Sequence, residues 1–192
     1  MNTPDYKLIY HIREWVELSE SDEKLVLKAL DPTTIRKKKD LLVPGEVCRY
    51  VWFIVSGAIR SYYVDEKGVE HIFQLSLENN WISDLESFFA QKPANCYIES
   101  LEDSTLLRIS YERLETLYAE VPKLERYFRI LFQRAYINAL QRLNATKWNT
   151  AEDRYNDMVR ENCTILHRVP QTYIASVLGI TPESLSRIRK KK

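Results

Sequence analysis

The segment QTYIASVLGITPESLSRIRK, residues 171–190, says most about how this chain folds. Its apolar residues recur at spacings that two short helices joined by a turn would bury, namely at Ile174, Leu178, Ile180, Leu185 and Ile188. Ala175 is small enough for the point where two steeply crossing helices come closest, and Gly179 tolerates the positive φ that a tight turn requires. The segment therefore predicts a pair of crossed helices.

The second helix of this pair has a defined start and one exposed face. Thr181 suits the N-cap, and Pro182 suits the first helical position, where a missing N–H costs nothing. An exposed basic helix fits the major groove of DNA, where an arginine can donate to guanine and a carboxylate can accept from cytosine. We assign these roles to Arg187 and Glu183. The candidate DNA-binding residues are Gln171, Thr172, Pro182, Glu183, Ser184, Ser186, Arg187, Arg189 and Lys190.

The charge distribution favours DNA binding over the alternative, an ordinary helical hairpin with a basic end. The whole chain has a net charge of +1. Residues 168–192 contain six Arg and Lys residues against Glu183 alone, a balance of +5, so the remaining residues carry −4. A basic segment on a mildly acidic body is typical of proteins that bind a polyanion. Gln171, Thr172 and the lysines at 190–192 suit contacts with phosphates.

Composition and spacing argue against several other classes of protein. No apolar run approaches the ~18 residues of a membrane span, and the charged N-terminus does not resemble a signal peptide, so we expect a cytoplasmic protein without membrane contact. The three cysteines are far apart and lack metal-ligand spacing. The three histidines lie in separate segments, and the four glycines form no phosphate loop. We therefore expect no metal, no catalytic residue and no enzymatic activity.

The middle of the chain has the pattern of short strands. Between residues 41 and 110, stretches rich in Val, Ile, Phe, Tyr and Trp alternate with turn signals such as Pro44-Gly45 and Ser56-Gly57. This pattern predicts an antiparallel barrel or sandwich, and the preceding forty residues predict helices. The cationic run Arg36–Lys39 lies between these parts. We interpret it as an exposed strand edge or loop, with a nucleic-acid patch as the alternative.

A long helix is predicted from about residue 122 to 147, because no further Gly or Pro interrupts an apolar pattern with spacings of three and four. Its broad apolar face includes Phe128, Phe132, Ala135, Ala139 and Leu143. We expect the same helix of a second copy to cover this face, which makes the protein a homodimer. The alternative is burial within one large domain.

A domain boundary is predicted directly after the long helix. Thr150 can cap a new helix, so we divide the chain into a first domain, residues 1–147, and a second domain, residues 148–192. The second domain is short for independent folding, and we expect it to pack on the long helix.

Together these segments resemble the Crp/Fnr family of bacterial transcription regulators over nearly the whole chain. The segments YVWFIVSGAIRSYYV (50–64), NWISDLESFF (80–89) and TYIASVLGITPESLSRIRKK (172–191) are similar to the family's strand–Gly–strand core, pocket helix and helix-turn-helix. The resemblance implies an α+β fold with an N-terminal antiparallel β-roll (jelly roll) of the cyclic-nucleotide-binding type, a long dimerisation helix and a C-terminal helix-turn-helix without a full wing.

The same resemblance implies partners. It implies a homodimer that reads a palindromic operator in double-stranded DNA, with two recognition helices ~34 Å apart. RNA polymerase is a further partner of such regulators, and a small molecule is the expected effector of the β-roll.

The resemblance places the effector pocket at Ile82, Ser83, Asp84, Leu85, Ala94, Asn95 and Cys96. In members that bind cyclic AMP, a glutamate contacts the ribose and an arginine-serine pair holds the phosphate, whereas the matching positions here are Asp84 and Ala94-Asn95. A buried phosphate without a cation is costly. We therefore do not expect cyclic AMP, and the pocket holds a less charged small molecule or nothing. The alternative function is a small-molecule binding module whose tail makes protein contacts or only non-specific DNA contacts.

Overall fold

The computed structural model describes residues 4–161 and 163–190, with side chains except at positions 4, 5, 142–148 and 161. The helices of this part of the chain are α1 (Pro4–Arg13), α2 (Glu20–Ala29), α3 (Leu85–Ala90), α4 (Tyr111–Glu120), α5 (Lys123–Trp148), α6 (Ala151–Glu161), α7 (Ile165–Arg168), α8 (Gln171–Val177) and α9 (Pro182–Lys190). Its strands are β1 (Asp31–Ile35), β2 (Asp40–Leu42), β3 (Tyr50–Ser56), β4 (Ile59–Val64), β5 (Glu70–Ser76), β6 (Trp81–Ile82), β7 (Tyr97–Ser100) and β8 (Ser104–Ser110).

The strands form two antiparallel sheets, and the predicted β-roll is confirmed. One sheet has the order β1-β8-β3-β6 and the other β2-β7-β4-β5, so consecutive strands other than β4 and β5 are divided between the two sheets. β3 and β8 pair from Tyr50 opposite Ser110 to Ser56 opposite Thr105. Apolar side chains from both sheets enter one core, in which Phe53, Ile54, Ile59, Ile98, Leu106 and Leu107 are fully buried.

The turn between β3 and β4 requires glycine. Gly57 has a φ of +124°, and a side chain at this position would overlap Ser104. The Gly57 N–H donates to Glu78 Oε1 at 2.9 Å. The turn therefore fixes Glu78 at the surface that the C-terminal helices occupy.

The N-terminal helices α1 and α2 confirm part of the helical prediction for the first forty residues, whereas residues 31–35 form β1 and pair with β8. Ser19 caps α2, because its hydroxyl accepts from the Asp22 N–H at 3.2 Å and its own N–H donates to the Asp22 carboxylate at 2.9 Å. The Tyr127 hydroxyl of α5 accepts from Trp81 Nε1 at 2.8 Å and lies 2.7 Å from His11 Nδ1. These contacts join α1, β6 and α5.

The long helix α5 has nearly the predicted bounds, with 26 residues from Lys123 to Trp148. The capping of the next helix is also confirmed, since the Asp153 N–H donates to Thr150 Oγ1 at 3.1 Å and the Thr150 N–H donates to Asp153 Oδ2 at 3.0 Å. The division into two domains at this point stays a prediction. Among the helices described, none combines the length and the apolar character needed to cross a membrane.

Within the described residues the second domain packs on the β-roll, and its packing on the long helix stays a prediction. The described contacts of α8 outside the C-terminal helices are mainly with β5, at the edge of the second sheet. Ala58, Leu77 and Leu101 of the roll share one buried cluster with residues of the C-terminal helices, including Ile165, Val169, Ile174 and Ala175. The physical reason is that the roll offers an apolar surface beside its edge strand, and covering it removes both apolar area and an open strand edge from water.

Candidate DNA-binding face and effector pocket

The turn between α8 and α9 has the geometry that its sequence predicted. Gly179 has a φ of +65°, the Gly179 N–H donates to Ser176 O at 3.0 Å, and the Ile180 N–H donates to Ala175 O at 3.0 Å. This is the usual way in which a left-handed glycine closes a helix. No atom lies within 4 Å of a side chain built at Gly179, so the backbone conformation and not space selects glycine.

The start of α9 and its buried face are also as predicted. Pro182 is its first residue, and the Ser184 N–H donates to Thr181 Oγ1 at 3.2 Å. Leu185 and Ile188 are buried in the same cluster as Ile174, Ala175 and Leu178. The inner face of α9 is thus held against α8, while the steepness of the crossing stays a prediction.

The candidate DNA-binding residues lie on the open side of this helix pair. The structure exposes Gln171, Thr172, Pro182, Glu183, Arg187, Arg189 and Lys190, and half-buries Ser184 and Ser186. The pKa of Glu183 is lowered by its own backbone N–H, the Thr181 hydroxyl and the charge of Arg187. Glu183 is therefore an acceptor at neutral pH, one helical turn before the Arg187 donor.

Arg154 supports the helix pair from α6, and sequence reasoning missed it. Its guanidinium donates to Leu178 O from Nε at 3.2 Å and from Nη2 at 2.9 Å, and to Asn149 O at 2.8 Å. Leu178 is the C-cap of α8, so a positive charge here satisfies a carbonyl at the negative end of the helix. Spacing along the chain gave no sign of this pairing.

An ionic cluster joins the second domain to the roll, and sequence reasoning missed it too. Arg168 donates to both oxygens of Glu78, at 2.7 and 2.8 Å, and also pairs with Glu102. Burial alone would raise the pKa of Glu78, but Arg168 and the Gly57 N–H outweigh it and lower that pKa to about 2. The pKa of Arg168 is raised by its hydrogen bonds to Glu78 and Glu102. Glu78 and Arg168 are therefore charged at neutral pH.

A second set of contacts holds α8 on the roll. The Ile72 N–H of β5 donates to Ser176 Oγ at 3.0 Å, which satisfies a group on the open edge of the sheet. The buried Arg60 guanidinium stacks on Tyr62 and Tyr173, with its Cζ 4.0 and 4.4 Å from the ring centroids. Arg60 also donates from Nε to Glu99 at 2.9 Å. The first helix of the pair is therefore fixed relative to the roll.

The predicted effector residues surround a cavity of about 690 Å³ on the roll. Ser83, Asp84, Leu85, Asn95 and Cys96 line it, whereas Ile82 and Ala94 are buried, each 2% exposed, and are absent from its lining. Its other lining residues are Tyr63, Phe73, Glu86, Ser87, Lys92 and Pro93. Tyr63 and Phe73 were not predicted; they are 46% and 45% exposed and belong to β4 and β5, and burial along these strands does not alternate regularly enough to mark them.

The carboxylate of Asp84 is already engaged in this cavity. Its Oδ1 accepts from the Ser87 N–H at 3.0 Å as the N-cap of α3, and its Oδ2 accepts from Cys96 Sγ at 3.4 Å. Burial, followed by the charge of Asp84, raises the pKa of Cys96 to about 12, so the thiol stays protonated. Asp84 and Glu86 face a single cation of the lining, Lys92, and no arginine belongs to it.

Comparisons with known proteins agree with this geometry. Residues 32–121 match the family described as "Cyclic nucleotide-binding domain". The "Fumarate and nitrate reduction regulatory protein" of Vibrio cholerae is 28% identical over 170 residues, which cover 80% of this chain and 65% of that protein. The "Anaerobic regulatory protein" of Aggregatibacter actinomycetemcomitans is 25% identical over 166 residues, 80% of this chain and 63% of that protein. The chain thus spans less than two thirds of the length of these relatives.

Solved structures show the same fold. FixK2 from Bradyrhizobium japonicum superposes with a TM-score of 0.72 at 18% identity, covering 84% of this chain and 83% of that one. The c-di-GMP responsive global regulator CLP from Xanthomonas campestris has a TM-score of 0.70 at 14% identity, with 90% and 91% covered. The chain therefore has the fold of Crp/Fnr-type regulators, with a cyclic nucleotide-binding domain at residues 32–121.

The pocket of this chain does not fit a cyclic phosphate. Ala94, at the arginine place, is held in the backbone pairing, with its N–H donating to Glu46 O at 2.8 Å and its carbonyl accepting from the Gly45 N–H at 2.9 Å. Neither Ala94 nor Asn95 brings a cation, and Asp84 and Glu86 bring negative charge to the same cavity. A phosphate there would have Lys92 as its one cation in the lining, against the two carboxylates of Asp84 and Glu86, so its desolvation would be poorly compensated. Among the described residues, no group of His, Cys, Asp and Glu side chains can hold a metal ion.

The predicted dimer helix divides into a buried and an open part. Phe128 belongs to the chain's own core, and Phe132 is half-buried, 5.6 Å from Phe89 between ring centroids. Ala135 is exposed, Ala139 is half-buried, and the side chain of Leu143 lies outside the described residues. The large apolar residues left open on the described part of α5 are Tyr136, Ile137 and Leu140, at 66%, 51% and 40% exposure.

Proposed function

We propose that this chain is a sequence-specific, DNA-binding transcription regulator of the Crp/Fnr type and not an enzyme. The observation that carries the proposal is the exposed position of Arg187 on a helix whose opposite face is buried. A recognition helix must hold its base-reading side chains away from its own core, and α9 does so. The relatives that the chain matches are named regulatory proteins. Since such a regulator acts on DNA, we propose that the protein is cytoplasmic.

Specific readout follows from the side chains on α9. Arg187 can donate two hydrogen bonds to guanine O6 and N7, and Glu183 can accept from cytosine N4. Each well-formed bidentate pair contributes about 1–3 kcal/mol of discrimination between bases. Lys190, Gln171 and Thr172 are exposed beside them and suit phosphate contacts, which fix the register without reading sequence.

The homodimer is proposed to form along the second half of α5. Tyr136, Ile137 and Leu140 are open apolar side chains on the longest helix of the described residues. Covering each contributes about 1–2 kcal/mol. A two-fold axis along this helix gives two copies of α9, which read the two halves of a palindrome ~34 Å apart.

The effector is proposed to be a small molecule with less negative charge than cyclic AMP, if the pocket is used. The acidic side chains of the cavity support this choice. The test is a thermal-shift series with cyclic AMP, together with mass spectrometry of whatever the denatured protein releases. A rise of Tm with cyclic AMP contradicts the proposal for the pocket and leaves the proposal for α9 standing.

DNA binding is tested by retention of genomic fragments across a salt series. We expect wild type to retain a small set of fragments, and Arg187→Ala to lose this selection while its Tm is unchanged. Arg49→Ala, which removes an exposed arginine from the loop before β3, is the matched control and should bind as wild type does.

A second candidate function is favoured by the docking of α8 on the roll. A helix pair held by Arg168, Ser176 and Tyr173 can also act as a fixed part of a binding module. In that case every fragment binds equally and weakly, and Arg187→Ala changes nothing. That result rejects the sequence-specific regulator.

A further inference from the structure

Four consecutive cations, Arg36 to Lys39, form the turn between β1 and β2. All four are exposed. None of them makes an ion pair with another described residue. The turn therefore presents four unpaired positive charges to solvent, which fits the loop interpretation of this run and leaves its purpose open.

The backbone of this cationic turn is held in place. Lys38 has a φ of +61°, a conformation that a lysine keeps only where the surroundings impose it. The Lys38 N–H donates to Ser100 O at 2.7 Å, Lys39 O accepts from the Ser100 N–H at 3.0 Å, and the Lys37 N–H donates to Asp103 Oδ1 at 2.8 Å. The cations thus project from a fixed base and not from a free loop.

The same base carries the link to the helix pair. Residues 100–103 include Glu102, which pairs with Arg168, and Arg168 precedes Gln171 at the start of α8 by three residues. Three residues span at most roughly 10 Å. The path from the turn to α8 thus runs through two direct contacts, Lys38 with Ser100 and Glu102 with Arg168.

The acids beside the turn do not cancel its charge. Arg168 neutralises Glu78 and Glu102 in part, and Asp103 accepts from the Lys37 backbone. Asp40 is the acid next to the run in sequence, and burial raises its pKa, with the charge of Glu99 adding to the shift and those of Arg60 and Lys39 opposing it. The local balance at the surface of the turn is positive.

We propose that Arg36–Lys39 is a second DNA-contact surface. Its cations contact phosphates of the duplex that α9 binds, at the place where this duplex passes the β-roll. The inference rests on the proposed function, because it needs DNA at α9. Phosphate contacts carry no sequence information, so this surface adds affinity and bending and not base selection. Each phosphate neutralised changes the slope of log K against log salt by about 0.9.

The test compares two triple variants with the same change of charge. Arg36→Gln/Lys37→Gln/Lys39→Gln removes the surface and spares Lys38, whose φ is unusual. The control, Arg126→Gln/Lys24→Gln/Lys28→Gln, removes one arginine and two lysines that are exposed on α2 and α5. The probe is a duplex of about 60 base pairs made from a fragment that wild type retains, measured by fluorescence anisotropy across a salt series.

We expect the first variant to bind about ten-fold or more weakly than wild type and to lose about 2–3 from its salt slope, the value for two or three phosphate contacts. The control should match wild type, and Arg187→Ala should lose fragment selection without the same fall in slope. Equal slopes for the two triple variants overturn the inference and leave the proposed function intact. No selective retention by wild type refutes the proposed function itself.

Two further outcomes are decisive. If the first variant is less stable by circular dichroism, Lys37→Gln/Lys39→Gln takes its place. Lys37 binds Asp103 through its backbone N–H, so changing its side chain leaves this hydrogen bond intact. If the variant binds DNA as wild type does but loses a protein partner such as RNA polymerase, the surface serves that partner and the inference is wrong.

Discussion

Glu78 gives the sharpest test of how the second domain is held to the β-roll. Its carboxylate accepts from Arg168 at 2.7 and 2.8 Å and from the Gly57 N–H at 2.9 Å. We expect Glu78→Gln to lower the free energy of unfolding at pH 7, because an amide keeps the shape of the carboxylate and the Gly57 bond but loses the charge that faces Arg168.

The magnitude follows from the pKa of Glu78. A pKa lowered from 4.5 to about 2 corresponds to about 3 kcal/mol of stability at neutral pH. The side chains of Arg168 and Glu78 are 26% and 27% exposed, so solvent screening reduces the loss to ~1–2 kcal/mol. Since the folded-state pKa is depressed, this stability is present above the ordinary pKa of 4.5 and is lost as the pH falls towards about 2.

The assay is urea unfolding at pH 7 and pH 3, followed by circular dichroism. Glu66→Gln, an exposed glutamate on the turn between β4 and β5, makes the same change of charge without a bonded partner and serves as the control. The deficit of Glu78→Gln should fall to about half at pH 3. A variant as stable as Glu66→Gln at pH 7, or a deficit that stays constant with pH, refutes the reasoning.

Three other substitutions have defined outcomes. Gly179→Ala forces alanine into a φ of +65° and should cost about 1 kcal/mol, seen as a lower Tm; an unchanged Tm contradicts the turn geometry. Ser176→Ala removes the acceptor of the Ile72 N–H and should cost about 1–2 kcal/mol, with faster hydrogen exchange at Ile72 as the specific sign. Leu140→Glu places a charge on the open part of α5 and should give a monomer by light scattering, whereas an intact dimer excludes that interface.

The features that sequence predicted are those in which cause and effect lie close along the chain. Thr181 and Gly179 act on backbone groups within a few residues, as do Ser19 and Thr150 at the starts of α2 and α6. Such caps and turns need no knowledge of the rest of the fold. The exposed face of α9 followed from the same local pattern, because burying Leu185 and Ile188 leaves Arg187 outside.

The features that sequence missed depend on residues brought together by the fold. Arg168 is 90 residues from Glu78, and Ser176 is 104 residues from Ile72. Neither partner carries a spacing or a neighbour that marks it, since any arginine can meet any glutamate once the sheets have formed. The pocket was half predicted for the same reason: α3 is local, whereas Tyr63 and Phe73 enter it from β4 and β5.

Arg168 also shows why a charge count along the chain misstates the charge on the surface. It is one of the six cations of residues 168–192, yet its guanidinium binds Glu78 and Glu102 of the roll. Conversely, Arg36–Lys39 belong to the part of the chain that carries −4, yet they are exposed and unpaired within the described residues. DNA, a polyanion, is attracted by surface cations that have no ion-pair partner. Ion pairing within the protein therefore decides where DNA can bind. The basic tail and the acidic body of the sequence are therefore not two electrostatic units, because each contributes exposed cations to the surface.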